Sequence, residues 1–130
     1  PGGGMRKKIL VVDDDDETRV LTSLRLQTAH YEVVTAVDGR EGLKQASAHR
    51  PDLVVLDLLM PGMHGFEACQ RLRQCYSGLK ILILSGKAFA VDARSAQRLG
   101  ADKVLRKPCE EADLIAAVRE LLGEGAPDGH

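Results

Sequence analysis

Apolar runs alternate with amphipathic stretches along this chain, and the alternation repeats five times. Ile9-Leu10-Val11-Val12, Leu53-Val54-Val55-Leu56 and Ile81-Leu82-Ile83-Leu84 are unbroken apolar tetrads. The pattern predicts strands over Lys8–Val12, Tyr31–Ala36, Leu53–Leu56, Lys80–Leu84 and Lys103–Arg106. Four apolar residues without alternation mean burial on both faces, which makes Leu53–Leu56 and Lys80–Leu84 central strands. Helical spacing predicts a first helix over Asp16–Ala29, with Val20, Leu21 and Leu24 facing inward. A second helix opens at Asp38-Gly39, carries Leu43 and Ala46 and stops before Pro51. Further helices cover Gly65–Gln74, Asp92–Leu99 closed by Gly100, and Cys109–Leu122 with Leu114, Val118, Leu121 and Leu122 inward. Asp15 or Asp16 is suited to cap the first helix. His30 then occupies its C′ position, where positive φ is usual and histidine is tolerated less well than glycine. Pro108 suits the first position of the last helix. Strands joined by helical crossovers form a parallel sheet, so the fold class is α/β with a doubly wound parallel sheet.

Composition narrows the picture. The chain has 130 residues, 44% hydrophobic and 28% charged, which suits one globular domain. The domain is expected over residues 5–123. Pro1–Gly4 resemble an expression remnant ahead of Met5, and residues 124–130 a tail or the start of a linker. The formal net charge of -1 argues against a general nucleic-acid or membrane-surface binder. No apolar run approaches the roughly 20 residues of a membrane span. Cys69, Cys75 and Cys109 are odd in number and form no CxxC pair. They read as reduced thiols of a cytoplasmic protein, with Cys69 and Cys75 on different faces of one helix.

The chemistry lies where the strands end. Asp13 and Asp14 follow the first strand, Asp57 the third, Ser85 the fourth, and Lys107 the fifth after Arg106. In an open parallel sheet, ligands bind beyond the carboxyl ends of the strands. One edge therefore gathers three carboxylates, a hydroxyl and an ammonium. Asp15, Asp16 and Glu17 suit a helix N-terminus, but Asp13 and Asp14 lie too early for that role. Crowded carboxylates raise each other's proton affinity unless a cation intervenes. Mg²⁺ fits, because it takes oxygen ligands and works with phosphate oxygens. The apolar loop Leu58-Leu59-Met60-Pro61 can turn the Leu59 carbonyl toward that ion.

With these residues in view, the chain resembles the receiver domain of two-component response regulators over about Arg6 to Leu122. The resemblance rests on Ile9–Asp15 (ILVVDDD), Pro51–Gly65 (PDLVVLDLLMPGMHG), Ile81–Gly86 (ILILSG) and Lys107-Pro108. It implies a flavodoxin-like strand order 2-1-3-4-5 with five helices. It implies that Asp57 is the phosphoacceptor and that Asp13, Asp14, Asp57 and the Leu59 carbonyl hold Mg²⁺. Ser85 would meet the phosphoryl group, Lys107 would be its cationic partner, and the Lys107–Pro108 bond would be cis. The implied donor is a sensor histidine kinase or phosphotransfer protein. The implied readout is the surface of the fourth helix, fifth strand and fifth helix, toward an effector domain, a partner protein or a second copy. No direct nucleic-acid or membrane contact is implied for this domain. Three positions depart from the family pattern: Val104 replaces the usual aromatic, Cys109 a phenylalanine and His64 an acidic or amide residue. They bear on the output geometry and leave the phosphorylation residues intact. Leu59 and Lys87 flank the site, and Leu59 offers no polar handle to water, so a long-lived phosphorylated state is expected.

Two alternatives compete. Asp13-x-Asp15 and ILILSG also resemble haloacid-dehalogenase phosphohydrolases, with Asp13 as nucleophile and Asp15 as acid/base. That alternative lacks a later acidic pair and leaves Asp57 unexplained. The other is a receiver-like module that binds a partner without being phosphorylated.

Overall fold

β1 (Lys8–Val12), β2 (Glu32–Ala36), β3 (Leu53–Asp57), β4 (Lys80–Ser85) and β5 (Lys103–Arg106) form one parallel sheet in the computed structural model. Its order is β2-β1-β3-β4-β5. The structure describes residues 6–57, 65–86 and 93–124. Between the strands run α1 (Asp16–Thr28), α2 (Gly39–His49), α3 (Gly65–Cys75) and α4 (Ala93–Leu99), with α5 (Glu111–Leu121) after β5. This is the flavodoxin-like arrangement expected above. Leu58 to His64 and Lys87 to Asp92 fall outside the described residues, and with them the expectations for Leu59, His64 and Lys87.

Side-chain alternation along the strands splits the core in two. Leu10, Val12, Val54, Leu56, Ile81 and Ile83 pack with Ala46 of α2 and Ala68, Cys69 and Leu72 of α3. Ile9, Val11, Leu53, Val55, Leu82 and Leu84 pack with Leu26 of α1 and Leu114, Ala117 and Val118 of α5. The tetrads of β1, β3 and β4 are buried throughout, as expected of strands covered on both faces. Leu121 and Leu122 are half-buried against the second cluster. Val104 is half-buried and packs against the first.

Two details of the sequence reading are overturned. Val20, Leu21 and Leu24 do not face inward: they are 55%, 49% and 54% exposed, while Thr22 and Leu26 are buried. At 100° per residue, Val20, Leu21 and Leu24 lie on the side of α1 opposite Leu26. The buried face carries Thr22 and Leu26, and the phase is set by Leu26, which packs in the cluster that contains Ile9 and Tyr31. Leu24→Ala is therefore expected to change stability by no more than about 0.5 kcal/mol. A urea titration checks this, since an inward leucine would lose about 2–5 kcal/mol. The second correction concerns Pro108. It does not occupy the first turn of α5, which begins at Glu111 after the extended N-cap Glu110. Pro108 instead follows Lys107 through a cis peptide bond, in the turn that leads out of β5.

Local signals act largely as anticipated elsewhere. Asp15 is the N-cap of α1 and Asp38 that of α2. His30 takes φ 74° directly after the α1 cap. Gly100 ends α4 at φ 99°, and a Cβ there would sit 2.8 Å from Cβ of Arg73. The Arg73 guanidinium holds that turn, donating to Gly100 O at 2.9 Å and to the Asp102 carboxylate at 2.7 Å. All three thiols are free: Cys69 is buried and Cys75 exposed. Burial pushes the Cys69 thiol up to about 11.

Candidate functional site

Register builds the site. Val12 pairs with Leu56, Asp57 with Leu84 and Ser85 with Arg106. Asp13 therefore leaves β1 beside Asp57, the last residue of β3. Neighbouring parallel strands lie about 4.8 Å apart, so adjacent strand ends bring their side chains into one group. Carboxylate oxygens of Asp13, Asp14 and Asp57 all lie within 4.8 Å of one another. Asp13 and Asp57 are only 2% and 4% exposed, and Asp14 is exposed. Lys107 enters from the end of β5 and places Nζ 2.8 Å from Asp57 Oδ2. Ser85 ends β4 at the same edge. The structure thus brings together Asp13, Asp14, Asp57 and Lys107, with the Ser85 backbone beside them.

The electrostatics follow from burial and like charge. Burial pushes the Asp13 carboxyl up to about 6, and the Asp57 charge adds to this, while the Asp15 N–H and Lys107 oppose it. For Lys107, burial alone favours the neutral amine. The hydrogen bond to Asp57 and the charges of Asp57, Asp13 and Asp15 outweigh burial and raise its pKa. The ammonium is therefore retained at neutral pH. Among the described residues, Lys107 beside three carboxylates leaves a surplus of negative charge in a largely buried setting. Such a set of hard oxygen donors, partly neutralised, fits a divalent cation of the Mg²⁺ type.

The acidic segment is held by its own backbone. Asp13 N–H donates to Ala36 O at 3.1 Å, and Asp15 N–H donates to Asp13 Oδ1 at 2.9 Å. The Asp15 carboxylate accepts from Thr18 N–H at 2.8 Å and Thr18 Oγ1 at 2.6 Å. These Thr18 bonds, the hydroxyl's first, hold the Asp15 carboxyl below its usual range. Asp15 is thus committed to capping α1, which deprives the phosphohydrolase alternative of its acid/base. Arg19, to which the sequence reading gave no role, donates from Nη1 to Asp13 O at 2.9 Å and from Nη2 to the Asp16 carboxylate. From sequence, Arg19 reads only as an (i, i+3) partner for Asp16, because its backbone contact depends on the strand-to-helix turn.

Known proteins match the chain in sequence and in fold. A family model described as "Response regulator receiver domain" matches residues 9–119. The alkaline phosphatase synthesis transcriptional regulatory protein PhoP of Bacillus subtilis is 41% identical over 118 residues, covering 91% of this chain and 49% of PhoP. The chain spans about half the length of the curated relatives it matches. Among solved structures, the chemotaxis protein CheY4 of Vibrio cholerae superimposes with a TM-score of 0.83 at 34% identity, covering 90% of this chain and 99% of CheY4. A CheY-like response regulator receiver domain protein from Methanospirillum hungatei gives a TM-score of 0.85 at 28% identity, covering 92% and 96%. The chain belongs to the response regulator receiver domains of two-component systems.

Proposed function

We propose that Asp57 accepts a phosphoryl group from the phosphohistidine of a sensor histidine kinase or phosphotransfer protein. The observation that carries this reading is the pairing of a buried Asp57 with Lys107 Nζ at 2.8 Å, inside a group of three carboxylates. A carboxylate is a known nucleophile when its charge is held in place. In the transfer, an Asp57 oxygen forms the bond to phosphorus as the bond to the histidine nitrogen breaks. Asp13, Asp14 and Asp57 would hold Mg²⁺, with the Leu59 carbonyl as a further ligand. Bound Mg²⁺ supplies neutralisation of the phosphoryl oxygens. Lys107 stabilises the same charge from the β5 side, by position and electrostatics.

The aspartyl phosphate carries more negative charge than the carboxylate it replaces. Ser85 and Lys107 would follow those oxygens. Moving a two-state equilibrium from 1:99 to 99:1 takes about 5.5 kcal/mol. Two charge-assisted hydrogen bonds at about 1.5–3 kcal/mol each are of that order. The readout is the surface of α4, β5 and α5, directed at an effector domain, a partner protein or a second copy. PhoP is named as a transcriptional regulator and is about twice as long, which supports an effector beyond this domain as one arrangement.

Incubation with acetyl phosphate and Mg²⁺, followed by intact mass, tests the reading. One phosphoryl adduct is expected, and it disappears when the cation is chelated. An unmodified mass under both conditions would leave the domain as a partner-binding module that is not phosphorylated.

A further inference from the structure

We propose that Arg19 is the positioning residue for the acidic half of this site, acting through backbone rather than through the carboxylates. The inference rests on the reading of Asp13, Asp14 and Asp57 as a cation site. Arg19 lies one turn into α1, its side chain 16% exposed. One guanidinium nitrogen, Nη1, donates to the main-chain oxygen of Asp13 at 2.9 Å. The other, Nη2, is anchored on the Asp16 carboxylate, whose own side chain is 85% exposed. The Arg19 N–H in turn bonds Asp15 O at 2.9 Å. The segment that crosses from β1 into α1 is therefore tied at Asp13 and again at Asp15 and Asp16.

The Asp13 carbonyl belongs to the peptide that joins Asp13 to Asp14. Fixing that oxygen fixes the peptide plane, and with it the direction in which Asp14 projects. Asp14 is exposed and faces two other carboxylates. Repulsion would otherwise favour orientations that carry it away. A held peptide keeps the three oxygen donors together before any cation arrives, so less ordering remains to be done on binding. Two acceptors in different directions need two donors from one rigid plane. Arginine provides them, and a lysine ammonium offers a single point.

The sign of the effect separates positioning from simple electrostatics. Arg19 is a positive charge near a cation site, so its removal should tighten Mg²⁺ binding if charge alone counts. Positioning demands the reverse. The test uses the full chain as wild type, Arg19→Lys and Arg19→Gln, with no phosphodonor present. Mg²⁺ affinity is read from backbone amide shifts, and urea titration establishes that each variant is folded. Loss of such an orienting contact typically weakens a metal site by about 10–100-fold. We expect a loss of that size in Arg19→Gln. Arg19→Lys, which retains the charge, should lose about 10-fold. Variants that bind Mg²⁺ as tightly as a binding wild type, or more tightly, overturn the role of Arg19 and leave the cation site standing. A wild type that binds no Mg²⁺ overturns the cation site and the role of Arg19 together. Labelling by acetyl phosphate adds a second readout. It should slow in the variants at limiting Mg²⁺ and recover when Mg²⁺ is saturating.

Discussion

Asp57→Asn is expected to abolish the phosphoryl adduct. Asparagine keeps the shape at the end of β3 and can still accept from Lys107, so the fold and the ammonium remain in place. It removes the nucleophilic oxygen, and loss of a covalent nucleophile lowers catalysis by about 10⁶-fold in a well-studied case. Intact mass after acetyl phosphate treatment should show only unmodified protein. The same variant has a second signature. Part of the upward push on the Asp13 carboxyl comes from the Asp57 charge and from a hydrogen bond with Asp57. Removing that charge should let Asp13 titrate below its wild-type position near 6, although burial persists as the larger cause. A carboxyl-carbon NMR titration reads this directly. A retained adduct would place the acceptor elsewhere, with Asp13 the first candidate.

The second large effect links pH, Mg²⁺ and stability through Asp13. Its carboxyl titrates near 6 in the folded chain, against 3.8 for an unperturbed aspartate. A raised carboxyl favours folding while it is protonated. That contribution is fully present below about 3.8 and is lost as pH rises through about 6. At about 1.4 kcal/mol per pH unit, the whole effect is about 3 kcal/mol. Metal-free protein should therefore lose stability between pH 4 and about pH 7 from this group. Mg²⁺ competes with the proton, so its benefit has the opposite trend. At 100 times its dissociation constant, a ligand that binds only the folded state adds about 2.7 kcal/mol. That gain should appear at pH 7.5 and fall to about 1.4 kcal/mol at pH 5, where protonation of Asp13 weakens Mg²⁺ binding about tenfold. Asp13→Asn should flatten both the metal-free pH slope and the Mg²⁺ gain. Urea titrations at three pH values, with and without Mg²⁺, measure it. A Mg²⁺ gain unchanged from pH 7.5 to pH 5 would contradict the linkage.

Much of the architecture was legible in the sequence because it depends on local pattern. Apolar tetrads can satisfy burial on both faces only as inner strands, and β1, β3 and β4 are inner strands. Asp15, Asp38, His30 and Gly100 act through their own backbone neighbours, so their effects on helix ends were readable in advance. The convergence of Asp13, Asp14, Asp57 and Lys107 was also readable, because parallel strands in register leave their ends at one edge.

Other features depend on contacts that periodicity does not encode. By spacing alone, Val20, Leu21 and Leu24 form the more apolar face of α1, since the opposite face holds Leu26 beside Thr22. Only the packing of Leu26 against the sheet decided that Val20, Leu21 and Leu24 lie outside. The role assigned to Arg19 required the path of a strand-to-helix turn, since its partner is a main-chain oxygen that no side-chain pattern reveals. The start of α5 depended on how the chain passes Lys107 and Pro108 after leaving β5. Residue type and order determined which groups reach the sheet edge. Tertiary packing decided how each helix is rotated and which backbone atoms hold those groups still, because rotation and hydrogen-bond partners arise only once the elements touch.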